Sequence, residues 1–268
     1  MEQYVIRGGR AGYDRIRLLA RVFHDTTANL LDRAGIGPGM RCLDLGCGSG
    51  DVAFHMARRV GPAGFVVGVD RDEEQVELAR AEAARLGLAN VELRVSDVYA
   101  WDEPDSYDLA HARLLLQHLS RPVDVLRAMW AAVRGGGVLV VEDSDFTGQF
   151  SMPPNDGFRF WMDAFPRVLV LHGGDPLCGQ RMFALFAEAG IPEPEVTVFQ
   201  RVDIRGEAKR LPYLTIEHTA DAIVREGVAT APEVTAALES LAQGIADEST
   251  VFGGVRHFQA WVRRPSGG

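Results

Sequence analysis

An acid and three glycines occur together in the stretch LDLGCGSG, at residues 43–50. The apolar run before the glycines predicts a strand, and apolar residues at helical spacing after them predict a helix. Glycine suits the turn between the two because it tolerates positive φ and lets a ligand approach the bare backbone. The first N–H groups of the helix point into the same turn. The stretch therefore predicts a ligand site at the carboxyl end of a strand.

The positions of Asp44 and the glycines indicate which kind of ligand this turn would bind. A dinucleotide-binding turn has the spacing G-x-G-x-x-G and places a pyrophosphate on the helix end. Here Gly46, Gly48 and Gly50 alternate, and Asp44 stands just before them. A carboxylate at that place repels a pyrophosphate and suits a cationic amino group, which argues against a dinucleotide.

This stretch resembles the first motif of the class I S-adenosylmethionine-dependent methyltransferases, in the small-molecule branch that resembles ubiquinone and menaquinone biosynthesis enzymes. In that family the acid and the glycine loop hold the methionine end of the cofactor. The resemblance assigns this role to Asp44, Gly46, Cys47 and Gly48. The cofactor that it implies is S-adenosylmethionine, with S-adenosylhomocysteine as the product.

A second acid, Asp70, ends the apolar run Phe65–Asp70, which predicts a second buried parallel strand. Asp70 lies twenty residues beyond Gly50, at the tip of the strand beside the glycine loop. A carboxylate there can accept both ribose hydroxyls of a nucleoside, so we expect Asp70 to bind the ribose. Asp72 can cap the helix that follows, with Gln75 as its capping-box partner.

The resemblance implies further contacts with the nucleoside. In the family, an acid after the third strand accepts a hydrogen bond from the adenine amino group, and the next backbone N–H reaches a ring nitrogen. Ser96, Asp97 and Val98 match this pattern. The resemblance also implies cofactor contacts for Arg71 and Arg113, at the ends of the second and fourth strands.

The N-terminal segment is expected to contain an arm and two helices. Residues 4–12 carry closely spaced glycines and arginines and are expected to form a mobile arm. Apolar spacing predicts helices over Asp14–Phe23 and Thr27–Ala34. In methyltransferases of similar layout an aromatic residue of this segment can fold over the cofactor, and the resemblance offers that role to Tyr4 or Tyr13.

Histidines are the candidate bases for the reaction that the resemblance implies. Methyl transfer from a sulfonium is a direct displacement, so such an enzyme mainly aligns the acceptor and excludes water, and it needs a base only when the acceptor must lose a proton. Histidine titrates near neutral pH, and the candidates are His111, His118, His172 and His218. His118 is placed best as the catalytic residue, beyond the predicted fourth strand, where ligands of open α/β sheets bind. A purely structural hydrogen bond is the alternative for each.

The resemblance implies an α/β fold, the Rossmann-like class I methyltransferase fold, with a seven-stranded, mostly parallel sheet in the order 3-2-1-4-5-7-6. Helices are expected on both faces, with a helical lid over the substrate. Pro166 is expected to kink or interrupt the lid helix that carries Trp161. The expected segments are a helical arm (1–35), a cofactor-binding core (36–143), a lid with connecting helices (144–190) and the last two strands (191–268), with a helical insertion at about 206–248.

Composition limits the classes of partner. The 268 residues are 47% hydrophobic and 24% charged, which is ordinary globular material, and the net charge of −9 argues against a nucleic-acid partner. No apolar run is long enough to span a bilayer, and the first residues lack the pattern of a signal peptide. Three cysteines without a C-x-x-C pair, and acids and histidines without metal-ligand spacing, favour a reducing cytoplasm and no metal site. A homodimer is left open.

The function that follows is methyl transfer from S-adenosylmethionine to a small, largely apolar molecule. The Ala-, Arg-, Val- and Gly-rich composition suits a GC-rich bacterial genome, in which many such enzymes modify natural products. One alternative is a cyclase or lyase on the same fold that binds the cofactor without transferring methyl. A more remote alternative is an NAD-dependent dehydrogenase that uses the ribose contact of Asp70.

Overall fold

The structure, a computed structural model, describes residues 9–266. One sheet organises this part of the chain. Its strands are β1 (Arg41–Leu45), β2 (Phe65–Asp70), β3 (Val91–Val95), β4 (Tyr107–Arg113), β5 (Val133–Asp145), β6 (Phe150–Met152), β7 (Glu195–Asp203) and β8 (Val251–Arg263). The α-helices are α1 (Gly9–Ala34), α2 (Asp51–Val60), α3 (Glu73–Arg85), α4 (Pro122–Ala132), α5 (Asp156–Leu171), α6 (Cys178–Glu188), α7 (Leu211–Arg225) and α8 (Ala231–Ala246).

The sheet runs in the order β3-β2-β1-β4-β5-β8, with β1 to β5 parallel and β8 antiparallel to β5. β7 pairs with the other side of β8, so the predicted order is confirmed for the long strands. The predicted count of seven strands is wrong by one. The extra strand, β6, is three residues long and pairs with Val251–Gly253 at the start of β8. It lies within residues 144–190, the segment expected to hold the lid and connecting helices.

Two apolar cores cover the two faces of the sheet. On one face α2 and α3 pack with the C-terminal half of α1, around residues such as Leu30 and Met56. On the other face α4 and α6 pack together, around residues such as Leu126 and Phe186. α6, in the segment expected to hold lid and connecting helices, thus lies on the sheet. These two layers hold the carboxyl ends of β1, β2 and β4 at one edge of the molecule.

A third apolar cluster joins α5, α7 and α8. These helices form a separate layer beside the carboxyl ends of the strands, around Phe158, Trp161 and Ile216. The sequence predicts that Pro166 kinks or interrupts the lid helix, and the interruption does not occur, because α5 continues through Pro166. Its neighbour Phe165 is 1% exposed and packed in this cluster, so the part of α5 that contains the proline lies against the apolar layer.

The N-terminal helix also differs from the prediction. The two helices expected over residues 14–23 and 27–34 are one continuous helix, α1, and the segment expected to be an arm is helical from Gly9 onward. No glycine or proline separates the two predicted segments, and the Thr26 hydroxyl donates to Phe23 O at 2.9 Å within the helix. Tyr4 lies outside the described residues. None of the helices in residues 9–266 combines the length and the hydropathy that crossing a membrane requires.

Candidate functional site

A cavity opens at the carboxyl ends of β1, β2 and β4, and it brings most of the predicted site residues together. Those that line it are Asp44, Gly46, Cys47, Gly48, Asp70, Arg71, Asp97, Val98, Arg113 and His118. Ser96 is not among the lining residues, and its backbone N–H donates to Asp70 O at 2.9 Å. We refer to this space as the first cavity.

The glycine loop after β1 forms one wall of the first cavity. Gly46 has φ +76° and Gly48 has φ +49°, a region that side chains with a Cβ rarely adopt. A Cβ on Gly46 would also lie 3.0 Å from the Leu115 side chain. The N–H groups of Gly46 and Cys47 donate to Val69 O at 2.8 and 2.9 Å, so the loop folds over the end of β2. The loop thus needs glycine for its conformation as well as for space.

Asp70 stands opposite this loop at the tip of β2. Its Oδ2 accepts from Gly48 N at 2.9 Å and its Oδ1 accepts from Asp72 N at 3.0 Å. Burial raises the pKa of the Asp70 carboxyl, and these two hydrogen bonds oppose the rise. Each carboxylate oxygen can accept a further hydrogen bond, so the group remains able to receive two hydroxyl donors. Asp72 caps α3 as predicted, because it accepts from Gln75 N at 3.0 Å, but the reciprocal bond of the predicted capping box is not formed, since Asp72 N donates to Asp70.

Asp44 lies deeper, between the glycine loop and the sheet. It is 2% exposed, and its Oδ1 is 2.8 Å from His111 Nδ1. Among the described residues, no donor reaches Asp44 Oδ2, which is buried. A buried carboxylate oxygen without a donor is costly unless a ligand supplies one. Together, the glycine cradle, Asp70 and this orphaned oxygen fit a nucleoside that carries a cationic amino group.

The segment after β3 forms the far wall of the cavity. Asp97 is exposed, and its Oδ1 accepts from Tyr99 N at 2.9 Å, which begins a short 3-10 helix. Val98 is buried beside it. Arg113, at the end of β4, donates from Nη1 to Thr27 Oγ1 at 3.0 Å and so connects the cavity wall to α1.

His118 ends the short 3-10 helix Leu116–His118 after β4 and lines the cavity. Burial, together with the guanidinium groups of Arg15 and Arg71, lowers the pKa of His118 to about 3. The ring is therefore neutral at physiological pH and can accept a proton or a hydrogen bond.

The other candidate bases are elsewhere. His111 is fully buried within the sheet, between two carboxylates. His172 lies 3.4 Å from Glu226, and His218 contacts the backbone of its own helix through Leu214 O. Neither of these two lines the first cavity.

A second cavity adjoins the first on the side of α5. Six aromatic residues are part of its walls, namely Phe23, Phe146, Phe158, Trp161, Phe165 and Phe252. The two cavities share Arg15, Leu19, Leu114 and His118. Leu114 has φ +54°, an uncommon conformation for a residue with a side chain, and it is held there by its N–H, which donates to Glu142 O at 2.8 Å. The shared residues make this junction the place where ligands of the two cavities would meet.

The resemblance offers an aromatic residue of the N-terminal segment as cover for the cofactor, but the sequence does not indicate that α1 lies over both cavities. Arg15 and Leu19 line both of them, and Ile16 lines the first. The apolar spacing of Ile16 and Leu19 identified one face of a helix, but no local signal identified what that face covers. Within the described residues there is no cluster of three or more His, Cys, Asp or Glu side chains that could hold a metal ion.

A parallel sheet with a glycine loop after β1 and an acid at the tip of β2 defines a Rossmann-like nucleoside-binding domain. Residues 36–168 match the family described as "Methyltransferase domain". This part of the chain belongs to the class I S-adenosylmethionine-dependent methyltransferases, and S-adenosylmethionine is the cofactor of that family.

Individual relatives agree with this family. The chain is 47% identical over 75 residues to nocamycin O-methyltransferase of Saccharothrix syringae, which is 28% of this chain and 27% of that protein. It is 38% identical over 104 residues to a ubiquinone biosynthesis O-methyltransferase of Neisseria meningitidis, 38% of this chain and 42% of that protein. The chain thus spans less than half the length of these curated relatives.

Similarity of fold extends further than similarity of sequence. The structure of coclaurine N-methyltransferase bound to N-methylheliamine and S-adenosylhomocysteine superposes with a TM-score of 0.56 at 19% identity. The match covers 89% of this chain and 72% of that one.

Proposed function

We propose that this protein transfers the methyl group of S-adenosylmethionine to a small, largely apolar acceptor held in the second cavity. The observation that carries the proposal is the junction of the two cavities. A site with acids and a glycine loop opens directly onto an aromatic pocket, and four residues belong to both. A cofactor and an apolar acceptor bound in these spaces would meet at Leu114 and His118.

Different residues of the first cavity would bind different parts of the cofactor. Asp44 and the loop residues Gly46, Cys47 and Gly48 would hold its methionine end, with Asp44 Oδ2 accepting from the amino group. Asp70 would accept from the ribose hydroxyls, as its geometry and remaining acceptor capacity allow. When bound, S-adenosylmethionine supplies a methyl group on a positively charged sulfur.

The nucleoside end of the cofactor would lie between β2 and the segment after β3. Asp97 and the backbone of Val98 would receive the adenine, and Arg71 would close the cavity beside the ribose. Arg113 would act through its hydrogen bond to Thr27, which holds α1 over the cavity. Ser96 would support this wall through its backbone bond to Asp70 O.

His118 would act on the acceptor. Its neutral ring can accept a hydrogen bond from an acceptor O–H or N–H and take the proton as the methyl group is transferred. A pKa of about 3 makes it a weak base, so it would orient the donor and not ionise it beforehand. The aromatic walls and the roof formed by α1 would exclude water and align the acceptor, which is the main requirement of a direct displacement.

The character of the second cavity supports a small organic acceptor. Phe158 and Phe165 are each 1% exposed, and the wall that they form offers a large apolar surface. Arg201 and Asp203, an ion pair at 2.8 Å, add a polar end to the same cavity. The similarity to nocamycin O-methyltransferase supports an acceptor from bacterial secondary metabolism.

The test begins with calorimetric titration of S-adenosylmethionine and S-adenosylhomocysteine, with NADH as the control ligand. We expect both sulfur nucleosides to bind and NADH not to bind. Phenolic, hydroxyquinone and polyketide acceptors are then incubated with the protein and S-adenosylmethionine, and the masses of the products are measured by mass spectrometry.

A product heavier by one methyl group in place of a hydrogen, together with S-adenosylhomocysteine, supports the proposal. A product of unchanged mass without S-adenosylhomocysteine would support the cyclase or lyase instead. Binding of NADH alone would contradict the assignment of the first cavity.

A further inference from the structure

A group of buried polar side chains crosses the sheet beside the first cavity. His111 on β4 lies between two carboxylates: its Nδ1 is 2.8 Å from Asp44 Oδ1, and its Nε2 is 3.1 Å from Glu142 Oε1. Gln259 on β8 donates from Nε2 to Glu142 Oε2 at 2.6 Å. The imidazole and the Glu142 carboxylate are 0% exposed. The methyl transfer described above makes no use of His111.

The contacts of His111 determine its protonation state. An ionised carboxylate offers only acceptors, so each ring nitrogen must donate to the oxygen that it faces. A neutral imidazole has one donor, and its other nitrogen would turn a lone pair toward a carboxylate. Burial by itself lowers the pKa of His111, but the hydrogen bonds to Asp44 and Glu142 outweigh it and raise the pKa to about 9. Both considerations make His111 an imidazolium at neutral pH.

The hydrogen-bonded group of Asp44, His111 and Glu142 then carries one net negative charge. His257, whose Nε2 is 3.4 Å from Glu142 Oε2, does not cancel it, because burial lowers the pKa of this histidine and keeps it neutral. The nearby Arg113 directs its guanidinium to Thr27.

The neighbouring thiols do not add charge. Burial raises the pKa of Cys42 and of Cys47, so both remain protonated. The oxygen of the group that lacks a donor among the described residues is Asp44 Oδ2. A cation at that oxygen would neutralise the whole buried group.

We propose that His111 is a positioning residue for the cofactor. It holds Asp44 through Oδ1, so that Oδ2 is presented to the α-ammonium group of S-adenosylmethionine, and it donates to Glu142 on its other side. The inference rests on the proposed function, because it requires Asp44 to bind that ammonium group. His111 would therefore affect the affinity for the cofactor from its position on β4, although it does not line the cavity.

The test compares two ligands that share the nucleoside and the sulfur. S-adenosylhomocysteine carries the amino acid end, and 5′-methylthioadenosine lacks it. His111→Gln removes the positive charge and turns an amide oxygen or nitrogen toward each carboxylate. By calorimetry we expect this variant to bind S-adenosylhomocysteine about tenfold to a hundredfold more weakly, the range for hydrogen bonds to charged groups, and to bind 5′-methylthioadenosine as the wild type does. His172→Gln, a histidine outside the cavity, is the matched control.

A measurement on the wild type tests the inference even if the variant does not fold. In protein with ¹⁵N-labelled histidine, His111 should show both ring nitrogens protonated at pH 8, where an ordinary histidine is neutral. A neutral His111 would overturn the inference.

The binding results also test the inference. Equal loss of both ligands in folded His111→Gln, or loss of neither, would also overturn the inference. Wild-type protein that binds neither ligand would contradict the proposed function itself. If the wild type binds both ligands and His111→Gln loses no more affinity for S-adenosylhomocysteine than for 5′-methylthioadenosine, only the role of His111 is contradicted.

Discussion

The carboxylate of Asp70 accepts the backbone N–H of Gly48 across 2.9 Å, which joins the tip of β2 to the glycine loop after β1. Its other oxygen accepts from Asp72 N at 3.0 Å, at the start of α3. One side chain thus fixes two segments of the cavity wall while it faces the cavity itself. Asp70 therefore influences both the shape of the first cavity and the hydrogen bonds available inside it.

Removal of this carboxylate should weaken cofactor binding. Asp70→Ala deletes the acceptor for the ribose and frees the N–H of Gly48, so we expect the affinity for S-adenosylhomocysteine to fall by about 1.5–3 kcal/mol, the range for hydrogen bonds to a charged group. Calorimetric titration measures the change. Glu77→Ala, which removes an exposed acid of the same charge on α3, is the control. An affinity equal to that of the wild type would remove the ribose assignment.

A side chain in the glycine loop should block the site. Gly48 has φ +49°, and its Cβ would lie 3.4 Å from Ile16 Cγ2, so Gly48→Val adds both backbone strain and bulk to the cavity wall. We expect titration with S-adenosylhomocysteine to show no binding. Gly190→Val is the matched control, because Gly190 has φ +75° with open space around its Cβ position. If Gly190→Val lost binding as fully as Gly48→Val, the loss would be due to backbone strain in general and not to the glycine loop.

His118→Ala should separate turnover from affinity. If His118 orients the acceptor's O–H or N–H and accepts its proton as a weak base, its loss should lower kcat by about 10²-fold, the lower end of the contribution of a positioned acid or base. The affinity for S-adenosylhomocysteine should change little, and His172→Ala should change neither value. Since the pKa of His118 is about 3, its titration should leave no step in the wild-type activity between pH 6 and 8. Wild-type turnover in His118→Ala would assign this histidine a structural role only.

The parts of the site that could be predicted lie within single short stretches of sequence. The glycine loop and Asp70 each follow an apolar run, and the end of a buried strand places such residues at the ligand-binding edge of the sheet. The order of the long strands came from the resemblance that these motifs carry. The added strand β6 could not be found, because three residues hold too little pattern to show alternation.

The parts that could not be predicted depend on contacts between distant segments. The role of His111 follows from the pairing of β1 with β4, which sets it opposite Asp44 although 67 residues separate the two. Glu142 and Gln259 meet across 117 residues. The apolar face of α1 could be recognised, but its place over both cavities depends on the tertiary packing of Arg15 and Leu19. Helical periodicity shows which face is buried and not what covers it.

The buried group around His111 should also make stability depend on pH. The pKa of His111 is raised from its ordinary 6.5 to about 9, so below pH 6.5 its contribution is present in full, since both folded and unfolded forms carry the proton. Between these values the folded form keeps a proton that the unfolded form has lost, and the contribution disappears as the pH rises toward 9. Another buried group acts at lower pH: burial raises the pKa of Asp143 to about 7, which lowers stability as the pH rises from about 4 to 7.

Denaturant titrations of the wild type and of His111→Gln between pH 7.5 and 9 therefore measure the effect of His111 as a difference, because the buried cysteine thiols, whose pKa values burial raises, lower the stability of both proteins in this interval. In that interval Asp143 is largely ionised in both forms, and we expect His111 to add to the wild type a fall in the free energy of unfolding of up to about 1.4 kcal/mol per pH unit, the slope for one proton. His111→Gln should be less stable than the wild type at pH 7.5, because two buried carboxylates then face each other's charge without a cation, and it should lose this slope. His172→Gln should retain it. A wild-type slope that persists in His111→Gln would show that another group titrates, and the imidazolium would not be the cation that holds Asp44 and Glu142 together.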